Sequence, residues 1–321
     1  MLYLSLDIAI SVLEGDMINK LRNNINDYFV GKESVVENVL ICLLAGGHVL
    51  LEDVPGVGKT TLAKVLSQSV GADFGRIQFT PDTLPSDVTG MSIYNAKTGE
   101  FEYREGAVMH NFLLADEINR TSPKTQSSLL EAMAEGQTSV DGKVYKLPDL
   151  FMVIATQNPV EFLGTYPLPE AQLDRFMMKL SVGYPDREYA VKMADSFLEG
   201  TLHEETKAVL NASDIKAMQG SVKKVTVNDK LIEYAVMIVE ATRSDEEISC
   251  GASPRALLAL LRYAQAHALY EGRDYCTPSD ILRSAALTLP HRLVLTAQAR
   301  MNRMSQAQVL KRITDHIKVP S

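Results

Sequence analysis

A short stretch near residue 55 combines the residue types that can hold a chain of phosphate groups. It reads LLEDVPGVGKTTLAK from Leu50 to Lys64. Gly56 and Gly58 allow backbone N–H groups to point inward around phosphate oxygens. Lys59 would bring a positive charge to the outer phosphates, and the Thr60 hydroxyl can ligate Mg²⁺. The stretch follows a strand pattern and opens a helix pattern, so that a helix N-terminus also faces the anion. We therefore predict a phosphate-binding loop.

Asp53 occupies the position where the usual pattern of such loops has its first glycine. A carboxylate directed into the loop would repel phosphate groups. We therefore expect the Asp53 side chain to remain solvated at the strand exit and to be directed away from the phosphates.

Polar side chains also follow two other apolar runs. Asp116 and Glu117 end the run FLLADE, and Asn158 ends the run VIATQN. An aspartate at such a place can hold Mg²⁺, and the next acid can orient and deprotonate an attacking water. The Asn158 amide can bridge that water and a terminal phosphate. Acid pairs and Asn-Pro steps also begin ordinary loops, and the phosphate loop favours the chemical interpretation.

Arginine is suited to the charge that develops on a transferred phosphoryl group. The candidates are Arg120 in EINRT, Arg175 in LPEAQLDRFMMK and Arg255 in SPRALL. A single arginine is usually a surface charge. These three are candidates because of where they fall relative to the other motifs.

The elements that must position these residues can be predicted from the pattern of apolar residues. Near-continuous apolar runs alternate with helical patterns up to about residue 185, as in a parallel sheet covered on both faces. The expected strands are His48–Glu52, Arg76–Phe79, Asn111–Asp116 and Phe151–Thr156. This alternation predicts a doubly wound α/β domain.

The later part of the chain has several helix starts and few strand-like runs. Asn228 precedes one helical pattern, Ser253 and Pro254 open a second, and Thr277 and Pro278 open a third with Asp280 in capping-box position. We expect an N-terminal helical segment over residues 1–24, the α/β domain over 25–186, and a small all-α domain over 187–321.

Two segments of the α/β domain, residues 90–106 and 136–148, alternate apolar and polar residues around Thr98-Gly99 and Asp141-Gly142. This pattern is typical of β-hairpins. They could be surface hairpins that shorten loops, or projecting fingers with a function, and the residues alone leave both open.

The composition limits the classes of function. The 321 residues carry a formal net charge of −8, which disfavours sequence-independent binding along nucleic acid. The three cysteines are far apart and match neither a metal site nor a disulfide framework. The N-terminus lacks the basic leader of a signal peptide, and no apolar run is long enough to cross a bilayer. We expect a cytoplasmic protein without a membrane span.

The order of these motifs resembles that of the AAA+ ATPases and, more closely, of the MoxR family. The matching lines are LLEDVPGVGKTTLAK, LLADEINRTSPKTQSSLLEAMAEGQ, VIATQNPVEFLGTYPLPEAQLDRFMMK and GASPRALLALLRYAQAHAL, within residues 25–315. The resemblance implies an AAA+ P-loop domain followed by a helical lid, with ATP or ADP and Mg²⁺ as ligands. It implies nucleotide contacts from Val30, Gly31, Pro55, Gly56, Val57, Gly58, Lys59, Thr60 and Thr61.

The resemblance also implies roles for the other candidates. Asp116 would hold Mg²⁺ together with Thr60, and Glu117 would be the catalytic acid. Asn158 would be sensor 1. Arg175 would be an arginine finger that reaches into the site of a neighbouring subunit, and Arg255 would be sensor 2 on the lid.

Three classes of function remain open. The first is a chaperone-like remodeller of a partner protein, for which the resemblance suggests a protein with a von Willebrand factor A domain. The second is the motor subunit of a metal-chelatase complex, whose relatives share both hairpins. The third is a motor linked to nucleic acid, which the net charge disfavours. In each case an arginine supplied by a neighbour implies a homo-oligomeric ring, and we expect a hexamer.

Overall fold

The structure is a computed structural model that describes residues 2–54, 56–159, 164–185, 187–199 and 206–320. Side chains are described from residue 14 onward within these ranges, except that of Ser196.

The strands and helices account for most of these residues. The strands are, in chain order, β1 (Val49–Glu52), β2 (Phe74–Gln78), β3 (Met91–Asn95), β4 (Glu100–Arg104), β5 (Phe112–Asp116), β6 (Gln137–Val140), β7 (Lys143–Lys146), β8 (Met152–Gln157), β9 (Met178–Leu180), β10 (Ile248–Cys250) and β11 (Val294–Leu295). The α-helices are α1 (Leu2–Tyr28), α2 (Glu33–Leu44), α3 (Lys59–Ser69), α4 (Pro85–Thr89), α5 (Pro123–Glu135), α6 (Glu170–Leu173), α7 (Arg187–Leu198), α8 (Ala212–Val222), α9 (Asp229–Ser244), α10 (Pro254–Tyr270), α11 (Pro278–Thr288), α12 (Ala297–Met301) and α13 (Gln306–His316). Short 3₁₀ turns cover Ala107–Met109, Ile118–Arg120 and Pro290–Arg292.

Five strands form one parallel sheet in the order β2-β5-β8-β1-β9. Side chains alternate between its two faces. Leu51, Leu114 and Ile154 pack into one apolar cluster, while Leu50 and Leu113 pack into another on the opposite face. Both faces are therefore covered, and the predicted doubly wound α/β fold is confirmed.

The four predicted strands are confirmed to within two residues at each end. The fifth, β9, is only three residues long and was not predicted. A run of that length is too short to show a periodic pattern, and β9 is a strand because it pairs with β1.

The predicted helix ends depend on local capping, which is present. Ser122 accepts a hydrogen bond from the Thr125 amide at the start of α5, and Gly136 ends that helix in the left-handed conformation. Asn228 and Ser253 cap α9 and α10 in the same way. These short-range signals are confirmed because a cap depends on residues only two to four positions apart.

Two antiparallel hairpins project from the α/β domain. Strands β3 and β4 form the first, and β6 and β7 form the second. The rings of Tyr103 and Tyr145 stack between them, with centroids 3.8 Å apart and planes within 15°. On the first hairpin, Tyr94 and Phe101 form an exposed aromatic pair. The two hairpins are thus in contact, and one of them presents apolar side chains to solvent.

The part of the chain from α8 onward is helical, with one addition to the expected all-α arrangement. Strands β10 and β11 form a short antiparallel pair. Tyr234 and Tyr263 are among the largest fully buried side chains here. This helical lid contacts the α/β domain through α2, where the Tyr263 hydroxyl donates to Asn38 Oδ1 at 2.9 Å and Gln219 Nε2 donates to Leu43 O at 2.8 Å.

Helix α1 continues through residue 24, the expected end of the N-terminal segment, to Tyr28. Its buried residues Ile18, Leu21 and Ile25 belong to the same apolar cluster as α2 and α3. Among the described helices, none combines the length and apolarity that a membrane span requires.

Candidate functional site

A cleft of about 380 Å³ lies where β1, β5 and β8 end. The carboxyl ends of parallel strands meet at one edge of a sheet, which is where open α/β folds bind ligands. The described residues that line the cleft are Gly56, Gly58, Lys59, Thr60, Thr61, Arg76, Asp116, Glu117 and Asn158. The fold therefore brings the predicted phosphate loop, acid pair and strand-end amide together.

The loop between β1 and α3 has the backbone geometry of a phosphate cradle. Gly56 and Gly58 have φ angles of 85° and 89°, in the left-handed region that favours glycine. A Cβ at Gly56 would meet no atom within 4 Å, whereas one at Gly58 would lie 3.0 Å from Phe29 Cε2. The open space beside Gly56 can receive an anion. Val57, which lies between the two glycines, is buried. Pro55 lies outside the described residues.

The Lys59 ammonium group lies inside this loop. It donates hydrogen bonds to Asp53 O at 2.8 Å and to Val54 O at 3.3 Å. A phosphate oxygen can compete for these bonds because charged acceptors bind ammonium groups more strongly than carbonyls do. Lys59 begins α3, so the partial positive charge of the helix N-terminus also faces the cleft.

The Asp53 side chain points away from the cleft, as expected, but it is buried rather than solvated. It accepts hydrogen bonds from Ser181 Oγ at 2.9 Å, from the Gly183 amide at 3.2 Å and from the Val182 amide. These donors follow β9, the strand that was not predicted. The expectation of a solvated side chain was therefore wrong, because it did not include this segment.

The carboxylate of Asp116 is held in place from two sides. Thr156 Oγ1 donates to Asp116 Oδ1 at 2.6 Å, and Arg76 Nη2 donates to Asp116 Oδ2 at 2.8 Å. Thr156 Oγ1 also accepts from the Glu117 amide at 2.9 Å. One threonine on β8 thus orients both acids at the end of β5.

Glu117 combines an unusual backbone with a constrained side chain. Its φ and ψ angles of 57° and 49° lie in the left-handed region, which costs a non-glycine residue free energy and is often found at functional sites. Gln78 Nε2 donates to Glu117 Oε2 at 2.8 Å, and Arg120 Nε lies 3.1 Å from the same oxygen. The side chain is thereby held at the edge of the cleft.

Arg76, Gln78 and Thr156 contribute to the site but were not predicted as site residues. Arg76 and Gln78 lie on β2, which is adjacent to β5 in the sheet. Thr156 lies on β8, on the other side of β5. Their sequence signal is a polar residue within a strand or at its end, and its meaning depends on the order of strands in the sheet.

Asn158 follows β8, is buried and lines the cleft together with the acid pair. Arg120 also reaches the site through its ion pair with Glu117. Both side chains therefore lie close to the acid pair.

Four other predicted residues lie outside the described lining of this cleft. Arg175 donates from Nη1 to Leu130 O of α5 at 2.8 Å, and Arg255 is exposed at the start of α10. Val30 is exposed between α1 and α2, and the backbone of Gly31 packs against the ring of Tyr189. Within one chain, therefore, neither Arg175 nor Arg255 belongs to the described lining of the cleft.

The donor set of the cleft fits a magnesium-bound triphosphate. The Thr60 hydroxyl and the Asp116 carboxylate are oxygen ligands of the kind that Mg²⁺ prefers. Arg76 now pairs with Asp116, but its side chain is 47% exposed and can move aside when a cation approaches. Lys59 and the open cradle at Gly56 supply the complementary phosphate contacts.

Comparisons with known proteins agree with this geometry. Residues 48–178 match the model of the ATPase family associated with various cellular activities (AAA), and residues 240–313 match the AAA lid domain. The chain is 51% identical over 304 residues to the YeaC protein of Bacillus subtilis, with 95% of each chain covered. It is 42% identical over 304 residues to Chaperone MoxR1 of Mycobacterium tuberculosis, with 91% of this chain and 79% of that protein covered. A solved structure of a candidate ATPase from Cytophaga hutchinsonii superimposes with a TM-score of 0.93 at 37% identity over 100% of both chains.

Proposed function

Because the chain belongs to the MoxR family of AAA+ ATPases, we propose that it binds ATP with Mg²⁺ in this cleft and hydrolyses it to ADP and phosphate. The observation that carries the proposal is that three separate parts of the sequence line one cleft around an open glycine loop. They are Lys59, the pair Asp116 and Glu117, and Asn158.

Each of these residues has a distinct task in the proposed reaction. The loop amides and Lys59 bind the phosphates, and Thr60 and Asp116 hold Mg²⁺, which neutralises the phosphate charge. Glu117 orients the attacking water and accepts its proton. For this step its carboxylate must exchange the bonds to Gln78 and Arg120 for one to water. Asn158 holds the water against the terminal phosphate.

Arg175 and Arg255 are proposed to act between subunits. Both lie outside the described lining of the cleft in their own chain. Arg76 and Arg120, which do reach the site, pair with Asp116 and Glu117. We therefore assign the cation that meets the developing charge to another chain. A neighbouring protomer can supply that cation, so we propose a homo-oligomeric ring, with a hexamer as the expected form. ATP would then bind at subunit interfaces, with Val30 and Gly31 on the adenine side.

The work done by the ring is proposed to be chaperone-like remodelling of a partner protein. A relative that is 42% identical is named a chaperone, and the exposed Tyr94 and Phe101 of the first hairpin offer apolar contacts to a client. A protein with a von Willebrand factor A domain is the proposed partner. Purified Glu117→Gln protein, held with ATP, should retain such a partner in a pull-down, and Lys59→Ala protein should not.

The experiment that tests the enzymatic proposal separates binding from turnover. Isothermal titration with ATP and Mg²⁺ should show no binding by Lys59→Ala, while Glu117→Gln should bind ATP normally. Turnover of Glu117→Gln should fall by about 10²–10⁴-fold, the usual contribution of a general base.

Lys64→Ala is the matched control for Lys59→Ala, because Lys64 lies on the same helix and is exposed. It should bind and hydrolyse ATP like the unmodified protein. Normal turnover by Glu117→Gln would show that the role assigned to Glu117 is wrong. Unmodified protein that is folded but does not bind ATP would disprove the proposal as a whole.

A further inference from the structure

The residues on both sides of Arg175 are bound by the lid of the same chain. On one side, Ser253 Oγ donates to Asp174 Oδ2 at 2.9 Å. On the other side, Arg292 Nη2 donates to Phe176 O at 2.7 Å. Ser253 begins α10, and Arg292 lies in the 3₁₀ turn after α11. The lid therefore binds the Asp174 side chain and the Phe176 carbonyl, on either side of Arg175.

Arg292 is the residue that joins these two contacts. Besides its bond to Phe176 O, its Nε lies 3.4 Å from Asp174 Oδ1. Its side chain is only 3% exposed, so the pairing is shielded from water and from salt. Burial lowers the pKa of Arg292 to about 10, with Asp174 opposing the shift, and the guanidinium therefore remains charged at neutral pH.

His291 lies beside the same contact. Its Nε2 lies 3.0 Å from Phe176 O and 3.3 Å from Arg292 Nε. Burial lowers the pKa of His291 to about 3, with the Arg292 charge acting in the same direction. The imidazole is thus neutral at physiological pH and adds no second positive charge beside Arg292.

A planar guanidinium can bind a carboxylate and a carbonyl at once, which a lysine ammonium does less well. Arg292 pairs with the Asp174 carboxylate and donates to the Phe176 carbonyl. It therefore holds the residues on both sides of Arg175 against the lid. A rotation of the lid would then carry Arg175 with it.

We propose that Arg292 is a positioning residue that couples the lid of one protomer to the Arg175 side chain it presents to the neighbouring ATP site. This inference rests on the proposed role of Arg175 between subunits. Loss of Arg292 leaves the protomer's own phosphate loop, acid pair and Asn158 in place. The lowered turnover is expected at the ATP site of the neighbouring protomer.

Homogeneous rings of Arg292→Met give the first test. Turnover should fall by about 10- to 100-fold, as expected for a misplaced catalytic group, while the KM for ATP changes little. Arg292→Lys keeps the charge but not the planar guanidinium. Its turnover should lie between those of Arg292→Met and the unmodified protein. If Arg292→Met does not fold, Asp174→Asn gives the same test, since it removes the charge that Arg292 pairs with and should lower turnover in the same way.

Mixed rings distinguish positioning from a general structural defect. A large excess of Glu117→Gln protomers supplies intact Arg175 side chains but contributes little hydrolysis. In this excess, turnover per Arg292→Met protomer should recover to the level of unmodified protomers diluted in the same way. A variant whose own site is damaged would stay slow, so persistent loss would disprove the proposal, as would normal turnover in homogeneous rings.

Two further variants calibrate the mixing experiment. Arg175→Ala should recover fully in the Glu117→Gln excess. If it recovers and Arg292→Met does not, the positioning role fails while the proposed function stands. If neither recovers, the role of Arg175 between subunits fails, and this inference fails with it.

Arg283→Met is the control for a lost contact between the lid and the α/β domain, because Arg283 pairs with Glu37 of α2. It should keep the turnover of the unmodified protein.

Discussion

The carboxylate of Asp53 joins the end of β1 to the chain that follows β9. Its partners are the Ser181 hydroxyl and the amides of Val182 and Gly183. This arrangement explains how an acid can occupy a glycine position in a phosphate loop, because the charge is neutralised by donors on the side away from the cleft. Asp53 thus has a structural role beside the site.

Asp53→Ala should lower the free energy of unfolding by about 2–4 kcal/mol, because it leaves the buried Val182 amide and two partly buried donors without an acceptor. ATP affinity of the folded protein should change little. Urea denaturation and calorimetry with ATP measure the two effects. Glu52→Ala is the control, since Glu52 pairs with a partly exposed Lys179 and should cost about 0–1 kcal/mol. A loss of ATP binding without a loss of stability would show that Asp53 belongs to the phosphate site.

At the scale of elements, the junction of α10 and α11 depends on one buried acid. Asp280 accepts two hydrogen bonds from Arg273, at 2.7 and 2.8 Å, and lies 2.6 Å from His267 Nδ1. It also accepts from the amide and hydroxyl of Thr277 at the start of α11. Burial by itself would raise the pKa of Asp280, but the bonds from Arg273, His267 and Thr277 outweigh it and hold the pKa below its ordinary value. The capping acid predicted for α11 is therefore also the centre of a buried network.

The stability of the lid should consequently depend on acid pH. A carboxyl whose pKa is lower in the folded state stabilises the fold above its unfolded pKa, and this contribution is lost as pH falls towards the folded value. The free energy of unfolding should thus decrease progressively below about pH 5, measured by urea denaturation at several pH values.

Asp280→Asn should lower the free energy of unfolding by about 3–5 kcal/mol at neutral pH, because Arg273 is left without its charged partner. Its stability should then fall less steeply with acid than that of the unmodified protein. Asp315→Asn, which changes an exposed acid of α13, should follow the unmodified curve. An equally steep curve for Asp280→Asn would show that another group causes the acid sensitivity.

At the scale of the whole molecule, the proposed function has a neighbouring protomer complete the ATP site. Lys59 and the acid pair lie in the cleft, while Arg175 binds the carbonyl of Leu130 and Arg255 is exposed at the start of α10. A second protomer can supply the missing cation, and the lid contacts around Asp174 would then link neighbouring sites.

Light scattering after size exclusion should therefore show a ring, expected to be a hexamer, when Glu117→Gln is incubated with ATP and Mg²⁺. Turnover of unmodified protein should rise more than linearly with protein concentration in the range where the ring assembles. Arg175→Ala should assemble but turn over at least about 10³-fold more slowly, the contribution of an arginine supplied in trans. A monomer with full turnover would contradict this view of the molecule.

The sequence alone determined the features that depend on near neighbours along the chain. The loop glycines with Lys59, the caps at Ser122 and Ser253, and the strand ending in Asp116 follow from short-range patterns of dihedral preference, capping and burial. These were predicted and are present in the structure. The family membership follows from several such motifs in order.

Only the tertiary structure decided which distant residues meet. Thr156 orients Asp116, Gln78 binds Glu117, and the donors after β9 bind Asp53, because β2, β8 and β9 take particular places in the sheet. The lid contacts of Arg292 depend likewise on packing between domains. Strand order and domain packing are set by the free energy of burying many side chains together. That total free energy cannot be read from any local pattern in the sequence.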